Sequence, residues 1–276
     1  MGVLQTKHVC IEKEDESEEE DQNLMKIEDK KIYGWRVDLP DHRDIYYETK
    51  NKLLSTKIDM RDKCPMIYDQ GNLGSCTANA IGFAFQFDEM KEKSGSEFRP
   101  SRLFIYYNER NMEGTTGYDA GASIRDGIKS VFSIGVCDET LWKYDISKFT
   151  EKPPEECYTF AKKHESIKYM RVKQSLKDMK ECLMEGYPFV FGASIYESFE
   201  SDKVKEDGMV PMPKKTEQLL GGHALAVVGY NDDHGFLVRN SWGTDWGLDG
   251  YCYMPYEYLC NTNLVNDLWT IRRVMI

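Results

Sequence analysis

Residues 76–93, CTANAIGFAFQFDEMKEK, restrict the fold more than any other stretch. Their apolar side chains do not keep to one stripe. Ala80, Ile81, Ala84, Phe85, Phe87 and Met90 spread almost all the way round a helical period, so a helix here has to be enclosed on every side. Ser75 is placed to cap its first turn. After a break at SGSEFRPS (94–101), helical periodicity resumes over 101–112 and again over 122–133, and Pro and Lys punctuate 147–165. The second half changes character. An amphipathic helix over 175–185 is followed by YPFVFGASIY (187–196), HALAVVGYN (223–231), GFLVRNSW (235–242), GYCYMPY (250–256) and LWTIRRV (268–274). These runs are rich in β-branched and aromatic residues, have Gly, Asn and Asp turns between them, and read as strands. The pattern predicts an α+β chain: a helical lobe built round a central helix, an antiparallel β lobe, and a cleft between them. No internal repeat is visible.

A chain of 276 residues that is 41% hydrophobic can bury a sizeable core. No apolar run is long enough for a membrane span, and the N-terminus lacks the apolar core of a secretory signal. Gly2 with Thr6 matches a myristoylation pattern on paper, a pattern short enough to arise by chance. Net charge is −11, of which EKEDESEEED (12–21) carries −7. That run reads as a solvated tail, and no basic patch argues for nucleic acid. The divisions expected are an acidic, disordered tail over 1–30, an aromatic-rich extension over 31–55, and a globular domain over 56–276. The eight cysteines (10, 64, 76, 137, 157, 182, 252 and 260) form no CxxC pair and no zinc-like spacing. They are expected to be reduced thiols in a reducing intracellular compartment, with no metal and no cofactor.

The chemistry gathers at QGNLGSC, residues 70–76. A thiol at a helix N-terminus lies against unpaired N–H groups and the positive end of the helix dipole, both of which favour the thiolate. Cys76 has that position. Gly71 and Gly74 allow a substrate backbone to come close. The Gln70 amide is placed to join the Cys76 N–H as an oxyanion hole. Of the five histidines, His223 alone follows a glycine pair and opens a strongly apolar strand. A titratable ring there needs partners or a task. Asn240 in VRNSWG, one hairpin later, can accept the imidazole N–H, and Trp242 can shield that bond from water.

The conjunction resembles the papain family of cysteine peptidases. QGNLGSC is similar to the family's QGxCGSC, GGHALAVVGY to xxHAVxxVGY, and VRNSWGTDWGLDGY to xKNSWGxxWGxxGY, a resemblance that covers roughly residues 56–274. It implies a two-lobe fold with a β-barrel-like right lobe, and peptide-bond hydrolysis through a thioester. Cys76 would be the nucleophile, His223 the base and acid, Asn240 the orienting residue and Gln70 the oxyanion donor. Gly74 and Ser75, with Gly121 and Ala122 of DAGAS, would line the substrate groove, and Ala224 and Trp242 would border it. Leu73 and Asp119 stand where secreted members have a disulfide, and Thr77 stands where the family has an aromatic residue.

Only about 55 residues precede the domain, where secreted members carry a long helical pro-segment. Residues 31–55 are expected to strap the domain structurally; the alternative is that some of residues 1–55 cover the cleft and restrain it, with Cys10 as an oxidisable partner for Cys76. Residues 204–222 are expected to rim the cleft. The chain is read as a monomeric endopeptidase acting on protein or peptide substrates, with no nucleic-acid or membrane partner and a bell-shaped pH profile. A peptide ligase using the same triad, or a silent peptide-binding module, are the alternatives.

Overall fold

The computed structural model describes residues 31–50, 52–92, 97–164 and 166–274. The acidic run, Gly2 and Cys10 lie outside them. The described residues from Tyr33 onward form one compact unit.

The enclosed helix is α1, Cys76–Glu92, and every residue from Cys76 to Glu89 is buried. Its flanks are covered as its composition requires: α2 (Arg102–Glu113) and α3 (Ile124–Ile134) pack on one side, and β6 (Leu219–Asn231) and β9 (Val265–Val274) on the other. α2 starts where Ser101 accepts the Phe104 N–H and stops at Gly114, whose φ of 71° closes the helix in the left-handed region. α3 starts where Ser123 accepts the Asp126 N–H.

The second half builds a seven-stranded sheet in the order β4–β9–β5–β6–β7–β8, with β2 (Lys57–Asp59) paired to β6. Its strands are β4 (Ser166–Arg171), β5 (Phe189–Tyr196), β7 (Gly235–Arg239), β8 (Tyr251–Met254), β6 and β9. All these pairings are antiparallel. The helical lobe and antiparallel right lobe expected from the resemblance are both present, and among the described residues the sheet does not close into a barrel. No helix among the described residues is long and apolar enough to cross a membrane.

Several elements escaped the sequence reading. α4 (Glu155–Ala161) sits in the stretch taken as a connection, but Pro154 is its N-cap, and Glu155 and Glu156 fill its first turn. β4 lies at the end of the strand order and carries Lys168 and Arg171, the charges that keep exposed strands from pairing with other chains and that mask the strand pattern. β1, Trp35–Arg36, pairs in parallel with β3, Ala122–Ser123. Through it the 31–55 extension enters the main core, where Trp35 and Tyr47 are buried. The segment 204–222 is also more structured than a rim. It contains the end of α6 (Asp202–Asp207), a bridge from Met209 to Tyr253, and the first residues of β6.

Candidate active site

The corner before α1 is tied down on all sides. The Gln70 N–H donates to the Ser241 carbonyl, and Arg102 donates to the Asp69 carbonyl and to Asn79 Oδ1. Tyr144 hydroxyl donates to the Gln70 carbonyl and meets Ser75 Oγ at 2.5 Å. Ser75 Oγ also accepts from Asn79 Nδ2, so its hydroxyl is held inside the fold. Gln70 Nε2 donates to the Leu73 carbonyl while its Oε1 accepts from Ser241 Oγ at 2.8 Å. Asp119 takes the Gly74 N–H at 2.9 Å and the Tyr106 hydroxyl. A carboxylate hydrogen bond therefore joins the loop before Cys76 to the loop that carries Gly121 and Ala122, where the resemblance places a disulfide. The seven cysteines among the described residues are free thiols.

Cys76 opens α1, and the N–H groups of Ala224, Gly34 and Thr77 lie within hydrogen-bonding reach of its thiol. Burial nevertheless pushes the thiol up to about 11. His223 lies on β6 opposite Ala193, one residue before the Ala224 whose N–H meets that thiol. Its Nε2 is 2.8 Å from Asn240 Oδ1. The Ser241 N–H donates to the same Asn240 atom at 2.8 Å, which identifies that atom as the amide oxygen. The imidazole must then carry its proton on Nε2 and leave the Nδ1 lone pair bare. Nδ1 has no hydrogen-bond partner among the described residues. Burial lowers this ring to about 4, against the Asn240 bond that raises it. Trp242 lies against the imidazole with centroids 5.0 Å apart, beside the bond it was expected to shield.

Residues 33–36 pass over this pair. The Gly34 carbonyl accepts the Ala122 N–H at 2.8 Å, so the backbone expected to line the groove is already paired. The contact is so close that a Cβ on Gly34 would stand 1.7 Å from the Gly74 carbonyl oxygen, and one on Gly121 (φ 62°) 1.9 Å from the Gly34 oxygen. Tyr33 sets its edge against His223 at 5.8 Å and bonds Glu200 through its hydroxyl. The Trp35 ring fills the space that a Cβ on Gly192 would take, and its Nε1 donates to Asp267 Oδ2 at 3.2 Å.

Just beyond, Asp38 donates its N–H to Asp267 and accepts from the Arg125 N–H and Trp269 Nε1, while Arg171 pairs with Asp38, Asp44 and Asp267. Neither the Trp35–Asp267 pair nor this latch was anticipated from sequence. The only signal was the aromatic composition of GWRVDLP. Among the described residues no cluster of His, Cys, Asp and Glu could hold a metal ion.

A family model described as papain family cysteine protease matches residues 54–267. An uncharacterised peptidase C1-like protein of Acanthamoeba polyphaga mimivirus is 43% identical over 270 residues, covering 88% of this chain and 87% of that one. The solved structure of xylellain, a cysteine protease from Xylella fastidiosa, superimposes with a TM-score of 0.82 at 43% identity, covering 88% of this chain and 96% of that one. Cat procathepsin L is 26% identical over 230 residues, covering 74% of this chain and 61% of that precursor.

Proposed function

This chain belongs to the papain family of cysteine proteases, and from that premise we propose that Cys76, His223, Asn240 and Gln70 cleave peptide bonds while residues 33–36 restrain them. The observation that carries the reading is the fixed tautomer of His223: Nε2–H is committed to Asn240, Nδ1 is bare, and the next residue along the strand, Ala224, offers its N–H to the thiol.

In the chemistry, His223 Nδ1 takes the thiol proton and the thiolate attacks the scissile carbonyl carbon. The oxyanion is held by the Cys76 N–H and the Gln70 side-chain amide. As the C–N bond breaks, His223 returns its proton to the leaving amine. Water, deprotonated by the same nitrogen, then hydrolyses the thioester to a carboxylic acid. Asn240 keeps the ring in line throughout. The substrate backbone pairs with the Ala122 N–H that the Gly34 carbonyl now occupies.

Restraint follows from the same contacts. The strap shuts water out, so thiol and imidazole both stay neutral, the thiol pushed up and the ring pushed down. The strap also runs parallel to Ala122–Ser123 and fills the groove with its own backbone. The test is labelling of full-length, reduced protein with a peptidyl vinyl sulfone and mapping of the adduct. Adduct at Cys76, lost in His223→Ala and faster when the strap is displaced, is expected. Equal slow labelling of many cysteines would refute the assignment.

A further inference from the structure

Directly after the nucleophile, Thr77 turns its hydroxyl into the fold and donates to Glu109 Oε1 at 2.6 Å. Glu109 lies on α2 and is fully buried. Its other oxygen, Oε2, has no hydrogen-bond partner among the described residues. That oxygen points into a notch kept open by Gly127 on α3, where a Cβ would stand 2.5 Å from it.

The cations near the carboxyl give their hydrogen bonds to other groups, although the Arg110 and Arg36 charges still favour its ionised form. Arg110, next along α2, gives its guanidinium to the carbonyls of Tyr106, Thr116, Tyr118 and Phe149. Tyr106, on the same helix, bonds Asp119. Arg36 of the strap pairs with Glu113. Asp126 on α3 adds a like charge, and from α1 the facing titratable group is Cys76 itself. Hydrogen-bond donors favour the ionised form of a buried carboxylate, and this one has a single hydroxyl.

Resting on the reading of Cys76 as nucleophile, we propose that Glu109 is a positioning residue for that thiol, required in its uncharged form, and that its ionisation closes the enzyme on the alkaline side. Uncharged, Glu109 anchors the first turn of α1 through Thr77 without opposing a negative sulfur. Ionised, it places a second buried negative charge behind the thiolate and pushes the thiol up. The environment agrees in direction: burial pushes Glu109 up to about 8, with the Thr77 bond pulling the other way.

The experiment uses the full chain and three proteins: wild type, Glu109→Gln and Thr77→Val. The rate of Cys76 labelling by a peptidyl vinyl sulfone is followed from about pH 5 to pH 10. Below about pH 7 wild type and Glu109→Gln, which keeps an uncharged acceptor for Thr77, are expected to agree within about threefold while Thr77→Val, which loses the anchor, is slower; above about pH 8 the wild type falls while Glu109→Gln holds for about one further unit, a tenfold difference in rate. Thr77→Val removes the bond that favours the ionised carboxylate, so its alkaline limb moves up as well. A merely structural role would lower the rate equally at every pH, and parallel profiles overturn the proposal. Should Glu109→Gln not fold, carbon NMR of the Glu109 carboxyl in wild type decides: titration in the ordinary range near 4 overturns it. A folded wild type that labels nowhere at Cys76 counts against the nucleophile itself.

Discussion

Gly34→Ala tests whether the strap governs access. The new Cβ would stand 1.7 Å from the Gly74 carbonyl oxygen and 2.5 Å from its carbon. Both are backbone atoms that cannot swing aside, so the strap has to move by more than an ångström. Three contacts are then at stake. The Ala122 N–H···O=C bond is worth about 1 kcal/mol net, and the indole bond to the Asp267 carboxylate about 1.5–3 kcal/mol. Burial of an indole of roughly 200 Å² contributes about 5 kcal/mol at ~25 cal/mol per Å². If the displaced strap keeps about half of this, closure weakens by roughly 4 kcal/mol, which exceeds the 2.7 kcal/mol of a hundredfold change in equilibrium.

The Asp38 latch to Arg125 and Trp269 lies beyond the clash and keeps the segment attached. Cys76 labelling by a vinyl sulfone peptide, measured on full-length reduced protein, should accelerate by about a hundredfold or more, with the far-ultraviolet spectrum unchanged. Gly117→Ala, which meets nothing within 4 Å, is the matched control and should change nothing. An unchanged labelling rate in folded Gly34→Ala would refute the strap's control of the thiol.

Asn240→Ala removes the acceptor that fixes the His223 tautomer, so turnover should fall by about two orders of magnitude or more while KM moves little, as steady-state kinetics would show. Asp119→Ala leaves the Gly74 N–H and the Tyr106 hydroxyl without their acceptor; thermal or urea unfolding should report a loss of about 2–4 kcal/mol. His223 should stay neutral in the native chain well below the ordinary histidine range, because burial lowers it to about 4. Its closed-state value is depressed, so this ring favours closure above about pH 6.5 and weakens it as pH falls toward 4. Proton NMR of the ring should therefore show titration near 6.5 in Gly34→Ala and far lower in wild type.

Much of the site was readable because its elements are local and periodic. An all-round apolar run had to be a central helix, and the residues from Cys76 to Glu89 are indeed all buried. His223 lies on β6 and Asn240 directly follows β7, the next strand of the same hairpin, which kept their relation visible from spacing and bonding chemistry. The missed pieces depended on distant partners. Pro154 reads as a breaker until the helix it precedes packs, and β4 is a strand only because β9 lies beside it. The carboxylate tie from Asp119 to Gly74 joins loops 45 residues apart, and nothing in either loop names the other.

The sequence by itself determined which residues are candidates for thiol chemistry and most of the order of helix and strand, since both follow from residue type and short-range period. Tertiary structure alone decided the state of that chemistry. Where the strap lies depends on the fit of Gly34 to Gly74, on a slot left by Gly192, and on an Asp267 carboxylate 232 residues from Trp35. Burial in the same fold pushes Cys76 and Glu109 up and His223 down, because ionisation follows the water and hydrogen-bond donors around a group, and folding alone distributes those.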